Sequence, residues 1–550
     1  KRRFFMKTTR RVVLSLATIF SFQLFLQANN TTEPTLNQQE QILRDFVIEA
    51  LPPSNHKSVE LINDITDLEA LEREENQDFP TSRELVRVRE GRSLPIEEIS
   101  AIKKRLPKVK ASVERIVNET VSYKHLPNIS VVASGGGYRA MIASLGLTQG
   151  LQNINMLDSV MYMATLSGST WFLGNWLAQN VPLRSFRALL QEQASTHLLT
   201  TPLSMEASYK TLYKKVKNSQ DTSLIDMWGM LLANSFMRNL TPGGRKVYLS
   251  ELAPNLDAGN FPLPIFTSVG SFNNDYVWFE YSPFEIGSHE LGAFIPTKTF
   301  NSKFENGVTT SVDAEQTLGF LMGIFGSAFS VNARDLVRIF KDKIPGKTLT
   351  FALDKITQIM DFGGWRVTAA KVRNFTYGMR NQAMREKKRL TLMDGGIGFN
   401  LPLPPMLRRD VDIYIFCDAS TSSEKGGALR KAMEYAQKNG YKFPRIDYSI
   451  LGEQRVSIFM DYNDPSVPMV IYVQNELDFK TTKFEYTPSE FTQLSNHMIR
   501  AVEDNYEAFY EAVKIKVKQL QQLHRSTSWA HINVEEPEAL TEQFLIPATA

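Results

Sequence analysis

Ile129-Ser-Val-Val-Ala-Ser134-Gly135-Gly136-Gly137 opens as a short β-prone apolar run and closes on three glycines, and an apolar helical stretch from Tyr138 to Leu151 follows it. About twenty residues on, the same order returns. Val160-Met-Tyr-Met-Ala164 runs into Thr165-Leu-Ser-Gly-Ser169 and then into Trp171-Phe-Leu-Gly-Asn-Trp-Leu177. Strand, glycine turn, helix, strand, sharp turn, helix is the opening of a parallel α/β core. Val411-Asp-Ile-Tyr-Ile-Phe416 and Met469-Val-Ile-Tyr-Val473 read as further core strands. The mixed, partly apolar stretch 178–390 reads as a cap inserted over that core. No internal repeat or low-complexity linker divides the chain.

Outward from the core, residues 29–125 read as a charged, helical N-terminal extension. Its best-marked helix starts near Pro95, carries Glu97 and Glu98 in its first turn and ends with Lys103, Lys104 and Arg105 before Pro107. That charge order suits a helix dipole, and the charges read as a solvated face. Residues 1–28 hold Met6, Lys7, Arg10 and Arg11 ahead of a mostly apolar run from Val12 to Leu26. This pattern fits a signal peptide or membrane anchor and predicts export or membrane association, with a cytoplasmic, peripherally bound protein as the alternative. Residues 526–550 read as a tail.

Composition narrows the chemistry. With 43% hydrophobic and 22% charged residues the chain is ordinary globular material, and a net charge of +3 gives no basis for a nucleic-acid partner. One cysteine and seven scattered histidines leave neither a disulfide framework nor a metal cluster, so no metal and no cofactor is expected.

Three readings compete for the glycine turn. As a dinucleotide fingerprint, G-x-G-x-x-A needs an acid closing the second strand, whereas Asp158 precedes that strand. A phosphate-gripping loop at Pro345-Gly-Lys-Thr348 fails because Lys341 stands where its first glycine belongs. As an oxyanion hole, adjacent glycines let backbone N–H groups converge at a helix N-terminus, where they stabilise charge developing in acyl transfer. That third reading needs a nucleophile. Leu166-Ser167-Gly168-Ser169 offers one on a strand-to-helix turn, although both glycines of G-x-S-x-G are replaced. As base, His289, His497 and His524 stand in no recognisable acyl-transfer context. Asp394, after an apolar strand and before Gly395-Gly396, is the alternative; a turn-capping aspartate fits the same pattern.

These residues resemble a family. Ser134-Gly-Gly-Gly-Tyr-Arg-Ala-Met141, Leu166-Ser-Gly-Ser-Thr-Trp171 and Asp394-Gly-Gly-Ile-Gly-Phe-Asn-Leu-Pro402 are similar to motifs of the cytosolic phospholipase A2 catalytic domain, whose family includes fungal lysophospholipases. The match continues through Trp278-Phe-Glu-Tyr-Ser-Pro-Phe-Glu-Ile-Gly287, Phe320-Leu-Met-Gly-Ile-Phe-Gly-Ser-Ala-Phe329 and Val411-Asp-Ile-Tyr-Ile-Phe-Cys-Asp418, in consistent order. The resemblance implies a patatin-like three-layer α/β core with a mostly parallel central sheet, occupying residues 126–525. It implies a Ser–Asp dyad of Ser167 and Asp394, an oxyanion hole at Gly136 and Gly137, and a substrate-phosphate contact at Arg139. A second family arginine has ambiguous counterparts in Arg408 and Arg409. Residues 291–312 are the candidate for a mobile lid.

The implied activity is hydrolysis of fatty-acyl esters of phospholipids or lysophospholipids at a membrane interface, with no protein partner. Transacylase or lipase chemistry, or a catalytically silent lipid-binding protein on the same fold, are the alternatives. The chain departs from the family in three ways. Thr165 replaces a glycine two residues before the serine. Gly-Gly follows Asp394, as in patatins. Nothing before residue 90 resembles a calcium-dependent membrane-docking domain, so calcium-triggered recruitment is not expected.

Overall fold

The computed structural model describes residues 85–198, 215, 218, 220–221, 223–273, 275–327, 369–420 and 426–522. Residues 1–28, the tail and His524 lie outside them. In chain order, β1 (Arg89–Glu90) and α1 (Ile96–Val117) lead to β2 (Ile129–Ala133), α2 (Gly137–Asn153), β3 (Val160–Thr165), α3 (Gly168–Gln179) and α4 (Leu183–Ala194). Next come α5 (Leu224–Met237), β4 (Leu263–Phe272), β5 (Asp275–Tyr281), β6 (Glu285–Ser288), β7 (Ala293–Pro296), β8 (Lys303–Glu305), β9 (Val308–Ser311) and α6 (Leu318–Phe325). The described residues close with β10 (Ala370–Arg373), β11 (Arg389–Asp394), β12 (Ile413–Asp418), α7 (Gly427–Lys438), β13 (Val456–Phe459), β14 (Met469–Gln474), α8 (Pro488–Glu503) and α9 (Tyr506–Gln522).

The sheet runs β1-β7-β6-β5-β4-β3-β2-β12-β14-β13. Its middle is parallel throughout, β4 to β3 to β2 to β12 to β14, as the expected α/β core requires. These strands read as continuous apolar runs because helices cover both faces, and every residue of β2, β3, β12 and β14 is buried. Antiparallel strands flank the parallel block, β13 on one side and β5 on the other. All four core strands anticipated from sequence are present. The third starts two residues late, and ahead of it the Asp412 carboxylate accepts from the Asn128 N–H at 2.8 Å.

The described part of 178–390 is more closely joined to the core than the word cap implies. It supplies β4–β7 and β10 to the same sheet, and α5 and α6 pack on α3, with the Trp228 and Trp171 ring centres 6.0 Å apart. The apolar sequences of α5 and α6 are therefore core. Residues 291–312, the candidate lid, are built into the fold in this conformation. They form β7, β8 and β9, and they are pinned by Val88 N–H to the Gly307 carbonyl and Thr309 N–H to the Val86 carbonyl.

Helix α1 likewise departs from expectation, running through Pro107 to Val117. Leu106, Val109, Val113 and Ile116 prolong its buried stripe, and that burial outweighs the hydrogen bond lost at the proline. Two of its charges are buried, not solvated. Glu98 meets Arg409, and Arg105 donates to the carbonyls of Val160, Gly259 and Leu157 at 2.8, 2.6 and 3.1 Å.

Candidate active site

Sheet register alone brings the two candidate residues of the dyad together. Thr165, the last residue of β3, lies opposite Phe266 of β4, and Asp394, the last residue of β11, lies opposite Ser268 of β4. Both strands use the same edge of β4, since β5 holds the other. Ser167 is two residues past Thr165 and Ser268 two past Phe266. The serine thus leaves β3 where β11 takes over the edge and delivers Asp394.

The serine is held in a strained backbone conformation. Ser167 has φ 52° and ψ −124°, and every other non-glycine residue at positive φ among the described residues is Asn or Asp. Such a conformation costs about 1–3 kcal/mol and persists only where its surroundings enforce it. Ser167 caps α3, whose Thr170 N–H donates to the Ser167 carbonyl at 2.9 Å, so the positive end of the helix lies at the serine. Thr165, which departs from the family's glycine, sits inside the sheet; its carbonyl accepts from the Thr267 hydroxyl at 2.9 Å.

The glycine turn packs directly against this elbow. Gly136 adopts φ 142°, which L side chains rarely reach, and a Cβ on Gly168 would lie 2.0 Å from the Gly137 carbonyl oxygen. The Ser169 hydroxyl donates to the Ser134 carbonyl at 2.5 Å and meets the Ser144 hydroxyl at 2.8 Å, tying α3 to the turn and to α2. From the other side Asn400 clamps Gly135, accepting from its N–H at 3.0 Å and donating to its carbonyl at 3.3 Å. Sequence reasoning quoted Asn400 inside a motif and gave it no role; its position six residues after Asp394 was the available signal.

Asp394 is fully buried. Its Oδ1 accepts from the Gly396 N–H at 2.8 Å, and its own N–H donates to the Ser327 hydroxyl at 2.9 Å. It therefore also caps its turn. Arg139 lies in the first turn of α2, nearly buried, with Nη1 donating to the Phe479 carbonyl at 2.6 Å. Its Nη2 is 3.0 Å from where a Cβ on Gly136 would be, so the guanidinium folds over the glycine turn.

Arg408 and Arg409 are placed elsewhere. Arg409 pairs with Glu98 at 2.9 Å and Glu280 at 2.5 Å, and Arg408 with Glu280 at 2.8 Å and Glu285 at 3.0 Å. The Arg409 carbonyl accepts from Asn128, at the start of β2, whereas the glycine turn follows its end. Both arginines are structural. His289 bonds the Tyr441 hydroxyl at 2.9 Å, and His497 accepts from the Glu476 N–H at 3.4 Å. Neither is part of the contacts around Ser167. Among the described residues no group of histidine, cysteine and acid side chains forms a metal site, and no helix is long and apolar enough to cross a membrane.

A mixed sheet with a parallel central block, a glycine turn, a strained serine and a buried aspartate where β3 and β11 meet on β4 together define a patatin-like α/β protein. The model of the lysophospholipase catalytic domain matches residues 129–450, more than half of the chain, and the chain belongs to that family. It is 25% identical to mouse cytosolic phospholipase A2 zeta over 432 residues, covering 65% of this chain and 50% of the relative. The human zeta protein is 26% identical over 425 residues, with 65% and 49% covered. The chain thus spans about half the length of the curated relatives it matches. In fold it is similar to human GIVD cytosolic phospholipase A2, with a TM-score of 0.68 at 20% identity over 80% of this chain and 69% of that one. The same human enzyme in complex with methyl γ-linolenyl fluorophosphonate gives 0.64 at 22% identity, covering 80% and 67%.

Proposed function

We propose that the chain is a serine hydrolase of fatty-acyl esters in glycerophospholipids or lysophospholipids, acting at a membrane interface. The observation that carries this reading is the junction on β4, where a strained Ser167, the glycine turn and Asp394 converge. Asp394 takes the Ser167 proton as Oγ attacks the ester carbonyl. The N–H groups of Gly136 and Gly137 hold the resulting oxyanion, and Arg139, beside them, pairs with the substrate phosphate. Collapse of the tetrahedral adduct breaks the ester C–O bond, and the leaving alcohol takes the proton from Asp394. Water then attacks the acyl-enzyme, with Asp394 again as base, and releases the fatty acid. No imidazole enters the cycle.

The basic and apolar segment within residues 1–28 would bring this chemistry to a membrane. Membrane fractionation with and without those residues tests that part. The hydrolase reading is tested by labelling wild type and Ser167→Ala with methyl γ-linolenyl fluorophosphonate, alongside fatty-acid release from diacyl and lyso substrates. Label and release should both vanish in the variant while the circular dichroism spectrum is unchanged. Persistent release in Ser167→Ala would remove the serine from the mechanism. Failure of the folded wild type to take the label would favour a silent lipid-binding protein.

A further inference from the structure

Behind the loop that follows Asp394 lies a separate cavity of about 420 Å³, within the ~300–1,000 Å³ range of small-molecule sites. Ser167 and the glycine turn take no part in it. Three aromatic rings form a continuous wall: Trp278 and Phe399 have centres 4.9 Å apart, and Phe399 and Tyr435 5.7 Å. Glu290 lines the same space, largely buried, and accepts from the Tyr435 hydroxyl at 2.5 Å. Burial raises the Glu290 carboxyl above its ordinary range, a shift that a cation seated beside it would oppose. Burial, reinforced by Arg92, holds His289 down to about 4, so this part of the wall contributes no positive charge at neutral pH. Exposed Arg92 and Lys438 stand at the mouth with one exposed acid, Asp275, so the mouth keeps an excess of positive charge.

The order of these groups is chemically specific. Aromatic faces beside a carboxylate attract a weakly hydrated cation, and a quaternary ammonium has no N–H groups that the wall would have to satisfy. The cations at the mouth suit an anion joined to that ammonium by a short link. A simple anion would meet Glu290 and the negative ring faces; a simple cation would leave Arg92 and Lys438 without a counter-charge from the ligand. We propose that this cavity binds a phosphocholine group, with its trimethylammonium against Trp278, Phe399, Tyr435 and Glu290 and its phosphate at Arg92 and Lys438. The ligand is carried either by a lipid or by a soluble glycerophosphodiester. Phe399 precedes Asn400, the residue that clamps Gly135, so an occupied cavity abuts a residue that positions the glycine turn.

The site does not depend on the hydrolase reading and is tested on Ser167→Ala protein. Isothermal titration would use phosphocholine, tetramethylammonium and inorganic phosphate. Phosphocholine should bind. Glu290→Gln should weaken phosphocholine and tetramethylammonium by about tenfold each, whereas the double variant Arg92→Ala/Lys438→Ala should weaken phosphocholine about fivefold and leave tetramethylammonium unchanged. Should Glu290→Gln not fold, Phe399→Leu carries the ammonium arm. Titration with glycerophosphocholine against phosphatidylcholine vesicles then separates the soluble source from the lipid one. No phosphocholine binding, binding indifferent to these variants, or preference for inorganic phosphate would each overturn the assignment.

Discussion

At the scale of single residues, the backbone at Ser167 carries a steric cost that the proposed nucleophile role would account for. Replacing it by glycine removes the steric penalty at φ 52°. Ser167→Gly should abolish ester hydrolysis and stabilise the fold by about 1 kcal/mol, read as a higher urea midpoint with an unchanged m-value. Asn400 acts through the glycine turn. Asn400→Ala should lower kcat about tenfold with little change in KM, less than the 10²–10³ cost of deleting an oxyanion donor outright, and should slow fluorophosphonate labelling in step. An equal loss of kcat and thermal stability would reduce Asn400 to a structural residue. The placement of Ser167, Asp394 and the glycines on turns that follow strands was legible in sequence, because the local backbone demands Ser-Gly, Asp-Gly-Gly and a glycine run. Asn400 and Ser327 were not, since their roles arise from contacts 265 and 67 residues away.

At the scale of elements, α1 shows how a local rule yields to burial. Proline predicts a helix end, yet Pro107 is exposed and the stripe beyond it is buried. Pro107→Ala should stabilise the fold by about 1–2 kcal/mol, the helix propensity gained less the entropy returned to the unfolded chain, measured by denaturant unfolding. Arg105→Met should cost about 3–5 kcal/mol, because three buried carbonyls lose a charged donor that burial already depresses to about 10. Charge pattern misled here for a physical reason. Helical spacing marks which residues share a face, but only the partner element decides whether Glu98 and Arg105 meet water or the sheet. Lys516 of α9 makes the same point: its Nζ donates to the carbonyls of Pro465 and Val467, at 3.1 and 2.8 Å.

At the scale of the whole molecule, the parallel order of the core was legible because buried strands advertise themselves as apolar runs. The placement of 178–390 was not, because strands such as β5 and β6 carry Glu280 and Glu285, whose burial makes sense only once Arg408 and Arg409 face them. This architecture also sets an acid limit. His289 binds its proton in the folded state only near pH 4, whereas its ordinary value is 6.5. Between those values the unfolded chain binds more protons, so stability falls as pH drops through that window and the penalty is complete below it. Melting temperatures measured from pH 7 to 4 should fall less steeply in His289→Gln than in wild type; parallel curves would refute the assignment. The branching of β4 carries a kinetic consequence. Three register pairs hold β11 to β4, apart from the parallel block, and this strand is expected to open before the core strands do, while the serine keeps its strained turn. On the proposed mechanism, a molecule with β11 unseated would be dormant yet still folded. The active fraction is then set by how long one short strand stays seated, and amide exchange in β11 faster than in β2 would be the clock that reads it.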